Sequence, residues 1–162
     1  MSEFEQILFF DELSIFSNWN KRDFKVYGQT FNSGKQALVW MKAIVFSDKE
    51  VVGKIFDIKN PVDQEYLGKT IKNFNQNIWD DLKYTFMEVI VAAKFESNED
   101  YKQMLLDTYP KKMIYASRLD DIWGIGIDEK KARKIYEKEW HGDNLLGKVL
   151  TSYRDAYFDD IP

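Results

Sequence analysis

The residues in this sequence best placed to do chemistry are two lysines seven positions apart and a tryptophan set among an aspartate and two glycines. Lys42 lies in the run Ala37–Phe46, in which every other residue is apolar. Burying an ammonium costs several kcal/mol unless it is paired, so Lys42 needs a partner or a ligand. The plain alternative is a stem that snorkels to solvent. Lys35 stands two helical turns earlier, on the same face as Lys42. Two ammonium groups on one face are awkward when empty and favourable around a pyrophosphate. Trp123 stands between Asp120 and the glycines Gly124 and Gly126. That pattern reads as a ring presented by a tight loop, suited to stacking on a base, with glycines that let backbone N–H groups approach a ligand. Core packing of Trp123 is the competing reading, as it is for Trp79 on its apolar stripe. Asn144 precedes an apolar helix and could offer its N-terminus to phosphate or ribose oxygens, or Asn144 or Asp143 could simply cap it.

Composition removes several other chemistries. With no Cys and one His, His141, the chain has no disulfide, no thiolate nucleophile and no multi-histidine metal site, and the usual Ser-His apparatus is missing. Any reaction runs on carboxylates, lysines, amides and tryptophans, without a metal or cofactor. The formal charge of -4 excludes bulk polyanion binding, so a nucleic-acid contact needs a local basic patch. The one such cluster is Lys130, Lys131, Arg133, Lys134 and Lys138, interleaved with Glu129, Glu137 and Glu139; it reads as a solvated face with internal ion pairs. Flanking a pocket, it could instead hold nucleic-acid phosphates. No apolar run has membrane-spanning length and the first residues lack a signal-peptide pattern, so a cytoplasmic protein with no membrane contact is expected.

The elements that must position these residues follow from hydrophobic period and punctuation. Gln6–Phe10 reads as a strand, and Asp23–Phe31 as a hairpin turning at Gly28. Ser33 and Gln36 form a capping box ahead of a buried helix over Ala37–Phe46. A second helix is expected over Asp48–Ile58, and Asn60-Pro61 starts a third. The strongest helix runs from Asn75 to Phe95 with Trp79, Leu82, Phe86, Val89, Ile90 and Ala93 on one stripe. A short helix over Asn98–Asp107, a strand over Met113–Ser117 and a loop at Trp123–Gly126 follow. A last helix buries Leu146, Val149, Leu150 and Tyr153. The sum is a single compact, mostly helical α+β domain with a small β component over residues 1–162.

Four blocks in order resemble the NADAR family of N-glycosidases. They are Phe16-Ser17-Asn18-Trp19 with Phe24, Gly28, Phe31 and Ser33; Trp40-Met41-Lys42-Ala43 with Phe46 and Asp48; Trp79 with Ala93-Lys94-Phe95; and Ser117, Asp120, Trp123-Gly124-Ile125-Gly126, Asn144-Leu145-Leu146-Gly147 and Arg154. The resemblance implies cleavage of N-glycosidic bonds between ribose and a base or amine. The substrates it implies are early riboflavin-pathway intermediates or ADP-ribose on guanine in DNA, the second being the reversal of DNA ADP-ribosylation and a possible answer to a toxin in a phage-infected cell. It also places functional positions at Asn18, Lys35, Lys42, Trp79, Asp120, Trp123 and Asn144, with Trp19 in the same motif.

Position 35 departs from the family, which keeps its catalytic glutamate there. An oxocarbenium-like transition state wants a nearby carboxylate. A lysine adds positive charge beside developing positive charge. At an effective dielectric of ~20, like charges a few Å apart repel by roughly 4 kcal/mol, enough to slow catalysis about a thousandfold. Impaired turnover is therefore expected, with Asp120 the remaining carboxylate to bind ribose hydroxyls or stabilise the sugar cation, unless it only caps the next turn. The alternatives are a non-catalytic binder of an ADP-ribose-type nucleotide and a glycosidase of riboflavin-pathway intermediates.

Overall fold

A computed structural model describes residues 5–159. In chain order the elements are β1 (Gln6–Phe9), β2 (Lys21–Val26), β3 (Gln29–Ser33), α1 (Gly34–Val45), α2 (Lys49–Lys54), α3 (Pro61–Gly68), α4 (Gln76–Glu96), α5 (Glu99–Leu106), β4 (Lys112–Tyr115), α6 (Glu129–Ala132) and α7 (Leu145–Asp155). Short 3-10 turns occupy Ile55–Asp57 and Glu137–Glu139. The fold is α+β and mostly helical, as the sequence leads one to expect. Its residues group into two units, one formed by Asn18–Asn98 and the other by the chain up to Ser17 together with Glu99 onward.

In the Asn18–Asn98 unit, β2 and β3 pair as an antiparallel hairpin, with Phe24 opposite Phe31. Tyr27 and Gly28 at its tip both have positive φ, the two-residue turn whose twist matches that of the strands. Ser33 then caps α1, its Oγ accepting from the Gln36 N–H at 3.0 Å. Because the cap sits at Ser33, α1 starts at Gly34, three residues before the apolar run. Gln36 does not close the expected capping box on Ser33. Its Oε1 accepts from the Asn32 N–H at 2.7 Å and its Nε2 donates to the carbonyls of Ile55 and Ile58. A buried amide with three backbone partners satisfies groups that a surface box would leave to water.

The buried face of α4 is wider than one stripe. Trp79, Met87, Ile90, Val91, Lys94 and Phe95 are buried, while Leu82, Phe86, Val89 and Ala93 are half-buried. The helix packs against both α1 and β2, and two partners cover more of its surface than one would. Lys94 on that face is 3% exposed, and desolvation pushes its ammonium down to about 7. In the unfolded chain it keeps a value near 10.5. Between these values the unfolded state binds the extra proton, so Lys94 makes stability rise with pH, by up to about 1.4 kcal/mol per unit. Denaturant unfolding at pH 7, 8 and 9 is expected to show this slope as the difference between wild type and a flatter Lys94→Met.

In the other unit, β1 and β4 pair in parallel from Gln6↔Lys112 to Phe9↔Tyr115, and the rings of Phe9 and Tyr115 stack 5.4 Å apart. α7 packs on β4 through buried Leu146, Val149 and Leu150. Tyr153 is only half-buried, and Arg154 takes the fully buried place beside it. That arginine is tolerated because Nη1 donates to Thr108 Oγ1 at 2.9 Å and to the Lys111 carbonyl, while Nε donates to Asp155 Oδ1 at 2.9 Å. Among the described residues no helix is long and apolar enough to cross a membrane.

Candidate active site

The Asn18–Asn98 unit gathers Asn18, Trp19, Lys35, Lys42 and Trp79. The first turn of α1 is seated on Asn18: the Lys35 N–H donates to the Asn18 carbonyl at 3.0 Å. A Cβ at Gly34 would fall 2.4 Å from Asn18 Oδ1, so only glycine lets the asparagine amide lie against this turn. The amide is buried, with Nδ2 3.7 Å from Met87 Sδ.

Lys35 is buried rather than turned to solvent. Its Nζ lies 2.6 Å from Glu65 Oε2 and 5.0 Å from the centroid of the Trp19 ring. The carboxylate contact is one of charge, outside hydrogen-bond geometry. Two neighbours of Glu65 on α3 hold it there. Gln64 is fully buried, donating from Nε2 to Asn32 Oδ1 and to the Ile58 carbonyl, both at 2.8 Å, and accepting from Ser33 Oγ at 2.6 Å. One turn on, a Cβ at Gly68 would fall 2.8 Å from Val39 Cγ2, so the glycine lets α3 press close against α1. Burial pushes the Glu65 carboxyl up, but the close ammonium of Lys35, with the charges of Lys69 and Lys42 adding to it, holds it below the usual carboxylate range.

Lys42 is half-buried, 4.4 Å over the Phe74 ring and 5.8 Å over Trp79. Burial lowers its pKa and the charge of Lys35 lowers it further, against the pull of Glu65. Trp79 is itself buried and stacked on Phe86 at 5.9 Å, so it serves as core and as an aromatic wall for the ammonium. Lys35, Glu65 and Lys42 thus form one coupled set, and Glu65 is the member that motif reading missed. The signal was the buried Lys35, which demands a counter-charge; nothing local marks which acid answers it.

The other unit carries Asp120, Trp123, Gly124, Gly126 and Asn144. Asp120 Oδ1 accepts from the N–H groups of Ile122 at 3.0 Å and Trp123 at 2.8 Å, a turn cap. Trp123 is buried, 8% exposed. A Cβ at Gly124 would meet the carbonyls of Tyr115 and Asp120 at 2.7 and 2.8 Å, and Gly126 has φ +75° with its N–H donated to the Asp120 carbonyl. Asn144 stands at the N-cap position of α7 in the left-handed region, yet its side chain makes no cap bond. Instead Oδ1 accepts from the Tyr115 N–H at 2.9 Å and Nδ2 donates to the Met113 carbonyl at 3.0 Å, extending the edge of β4. The charged segment borders a cleft of about 680 Å³ lined by Phe10, Arg118, Lys130 and Arg133 with Asp128 and Glu129. Arg133 is tied to Glu129 at 2.8 Å, as expected of internal ion pairing.

The turn cap makes Asp120 separable by mutation. Asp120→Ala is expected to lose about 1–2 kcal/mol, the scale of a lost cap, whereas Asp120→Asn keeps an accepting oxygen and most of that stability. Urea unfolding of the two variants measures the difference. A loss of turnover in the stable Asn variant would mark the charge itself as used in the reaction.

The NADAR domain profile matches residues 8–157, and the chain belongs to that family. It is 38% identical over 146 residues to the N-glycosidase R617 of Acanthamoeba polyphaga mimivirus, covering 87% of this chain and 86% of that protein. It is 26% identical over 145 residues to the N-glycosidase YbiA of Escherichia coli (strain K12), covering 90% and 82%. The NMR structure of E. coli YbiA shares its fold with a TM-score of 0.78, over 98% of this chain and 88% of that one, at 23% identity.

Proposed function

We propose that the protein is an N-glycosidase that hydrolyses the bond between ribose and a base, and that its substrate is ADP-ribose carried on guanine in DNA. The observation that supports this most is the pair of lysines, Lys35 and Lys42, set against the rings of Trp19, Phe74 and Trp79. Ammonium groups beside aromatic faces suit a ligand that is both a phosphate anion and a stack of flat rings. The N-glycosidase names of two relatives supply the reaction class. In the cell such an enzyme would reverse DNA ADP-ribosylation and act as an antitoxin; we place it in the cytoplasm, with no cofactor. Asn18, Lys35 and Lys42 would hold the nucleotide, and Asp120 and Asn144 would shape the tryptophan loop.

A second reading, favoured by a lysine at the family's glutamate position, is a binder of the same nucleotide without turnover. The test is direct. The protein is incubated with an oligonucleotide carrying ADP-ribose on guanine and, separately, with a ribosylated pyrimidine intermediate, and released product is followed by mass spectrometry. Release from the oligonucleotide supports the reading. Release only from the pyrimidine moves the substrate to riboflavin-pathway chemistry. Binding of ADP-ribose by calorimetry without release from either supports the binder.

A further inference from the structure

Resting on the N-glycosidase reading, we propose that Glu65 on α3 supplies the carboxylate of the reaction, a catalytic role that Lys35 on α1 cannot fill. Cleavage builds positive charge on the ribose ring, and a carboxylate near the anomeric carbon stabilises it. Glu65 touches Lys35 at 2.6 Å through Oε2, which is buried, while a third of the acid's side-chain surface as a whole stays open and the lysine is nearly closed off. The rest of the acid therefore keeps an open side that its partner lacks. Its position is also built rather than incidental, because the buried Gln64 network and the Gly68 contact hold α3 against α1 on either side of it.

The lysines divide the work with the acid. Lys35 and Lys42 face the same region as Glu65, and Lys69 at the C-cap of α3 adds a third ammonium. Substrate phosphates draw the ammonium charge toward themselves, which leaves the carboxylate net negative toward the sugar. In the step itself the C1′–N bond breaks and its electron pair leaves with the base nitrogen. The oxygen of a water molecule bonds to C1′ and its proton passes to Glu65. Glu65 passes that proton on to the departing nitrogen, so one water is consumed, the carboxylate is regenerated, ADP-ribose is released and the guanine stays in the DNA. The surrounding ammonium groups keep Glu65 ionised near neutral pH, ready to accept that proton.

The experiment compares wild type, Glu65→Gln and the exchange variant Lys35→Glu/Glu65→Lys, as full chains, on the two substrates named above. Glu65→Gln is expected to lose at least about a hundredfold in kcat with KM changed less than about threefold. The acid limb of the kcat–pH profile, set by Glu65 below the usual carboxylate range, is expected to vanish in that variant. The exchange variant keeps the ion pair, so it is expected to fold even where Glu65→Gln does not, and to regain kcat to within about tenfold of wild type. A purely structural ion pair would move the melting temperature and leave both kcat and its pH limb in place. Wild-type turnover with an equally active Glu65→Gln overturns the assignment and leaves the glycosidase reading standing. A folded but inactive exchange variant also overturns it. A wild type that releases product from neither substrate overturns the assignment and the reading together.

Discussion

Replacing Lys35 with glutamate is expected to lower stability by roughly 3 kcal/mol at pH 7 and to return most of that on acidification. The figure is the low end of what removing one partner from a buried ion pair costs, because Glu65 keeps about a third of its side chain in water. In the wild type the Glu65 pKa is held below its ordinary 4.5, so the pair contributes stability above that value and loses it as pH falls through the lowered one. In Lys35→Glu the sign reverses. Two carboxylates share one place, one of them holds its proton above the ordinary range, and stability falls as pH rises through that raised value. Chemical denaturation from pH 3 to 7 should therefore show the wild type losing stability on the acid side of 4.5, while the variant loses stability as pH rises above it. The exchange of both residues should restore the wild-type sign. Parallel slopes would mean that Lys35 and Glu65 do not sense one another in solution.

This outcome separates two consequences of one substitution. Read from sequence, position 35 has the wrong charge for the family's chemistry, and a return to glutamate looks like a repair. The structure couples that position to α3, so glutamate at 35 alone meets a second acid. The sequence showed the demand and not the answer: a lysine ahead of an apolar run needs a partner, but Glu65 lies thirty residues away behind a turn. Its pairing follows from how Gln64 and Gly68 seat α3, and neither carries a local signature of that packing.

Elsewhere the legible features were those governed by short-range rules. The Ser33 and Asn60 caps, the turn at Gly28 and the long amphipathic helix were all set by neighbours a few residues away. Long-range polar matching was not legible. Asn144 looked like a helix cap, and its side chain instead completes β4 thirty residues upstream. Arg154 and Lys94 stand beside apolar stripes with nothing local to mark them as buried, and both are buried. Gln36 found partners on the far side of α2 as well as in its own turn. In each case a polar group was drawn inward by an acceptor or environment that only tertiary packing brings near.

A large loss of stability is expected from Gly142→Ala. The segment after Gly142 is stitched to the tryptophan loop by successive backbone bonds: Gly142 N–H to the Ile125 carbonyl, Asp143 to Asp121, Asn144 to Gly124, Leu145 to Ile122 and Leu146 to Trp123. An added Cβ at position 142 would fall 2.2 Å from the Gly124 carbonyl oxygen and within 2.6 Å of the Ile125 Cα. These atoms are backbone, so no rotamer can relieve the overlap, and the ladder itself must separate. A cost above about 4 kcal/mol places such a change at the far end of the range for point substitutions. The neighbouring bonds would fail with it, because Asp120 and Asn144 are positioned by the same loop. Buried Trp123 reports the event: its emission should shift red in the variant under conditions where the wild type is folded. Gly53→Ala supplies the contrast, since a Cβ there meets nothing within 4 Å and replaces glycine inside α2. That change is expected to add about 0.5–1 kcal/mol through helix propensity alone. Two glycine-to-alanine substitutions would then move stability in opposite directions, and what separates them is whether backbone stands where the methyl group must go.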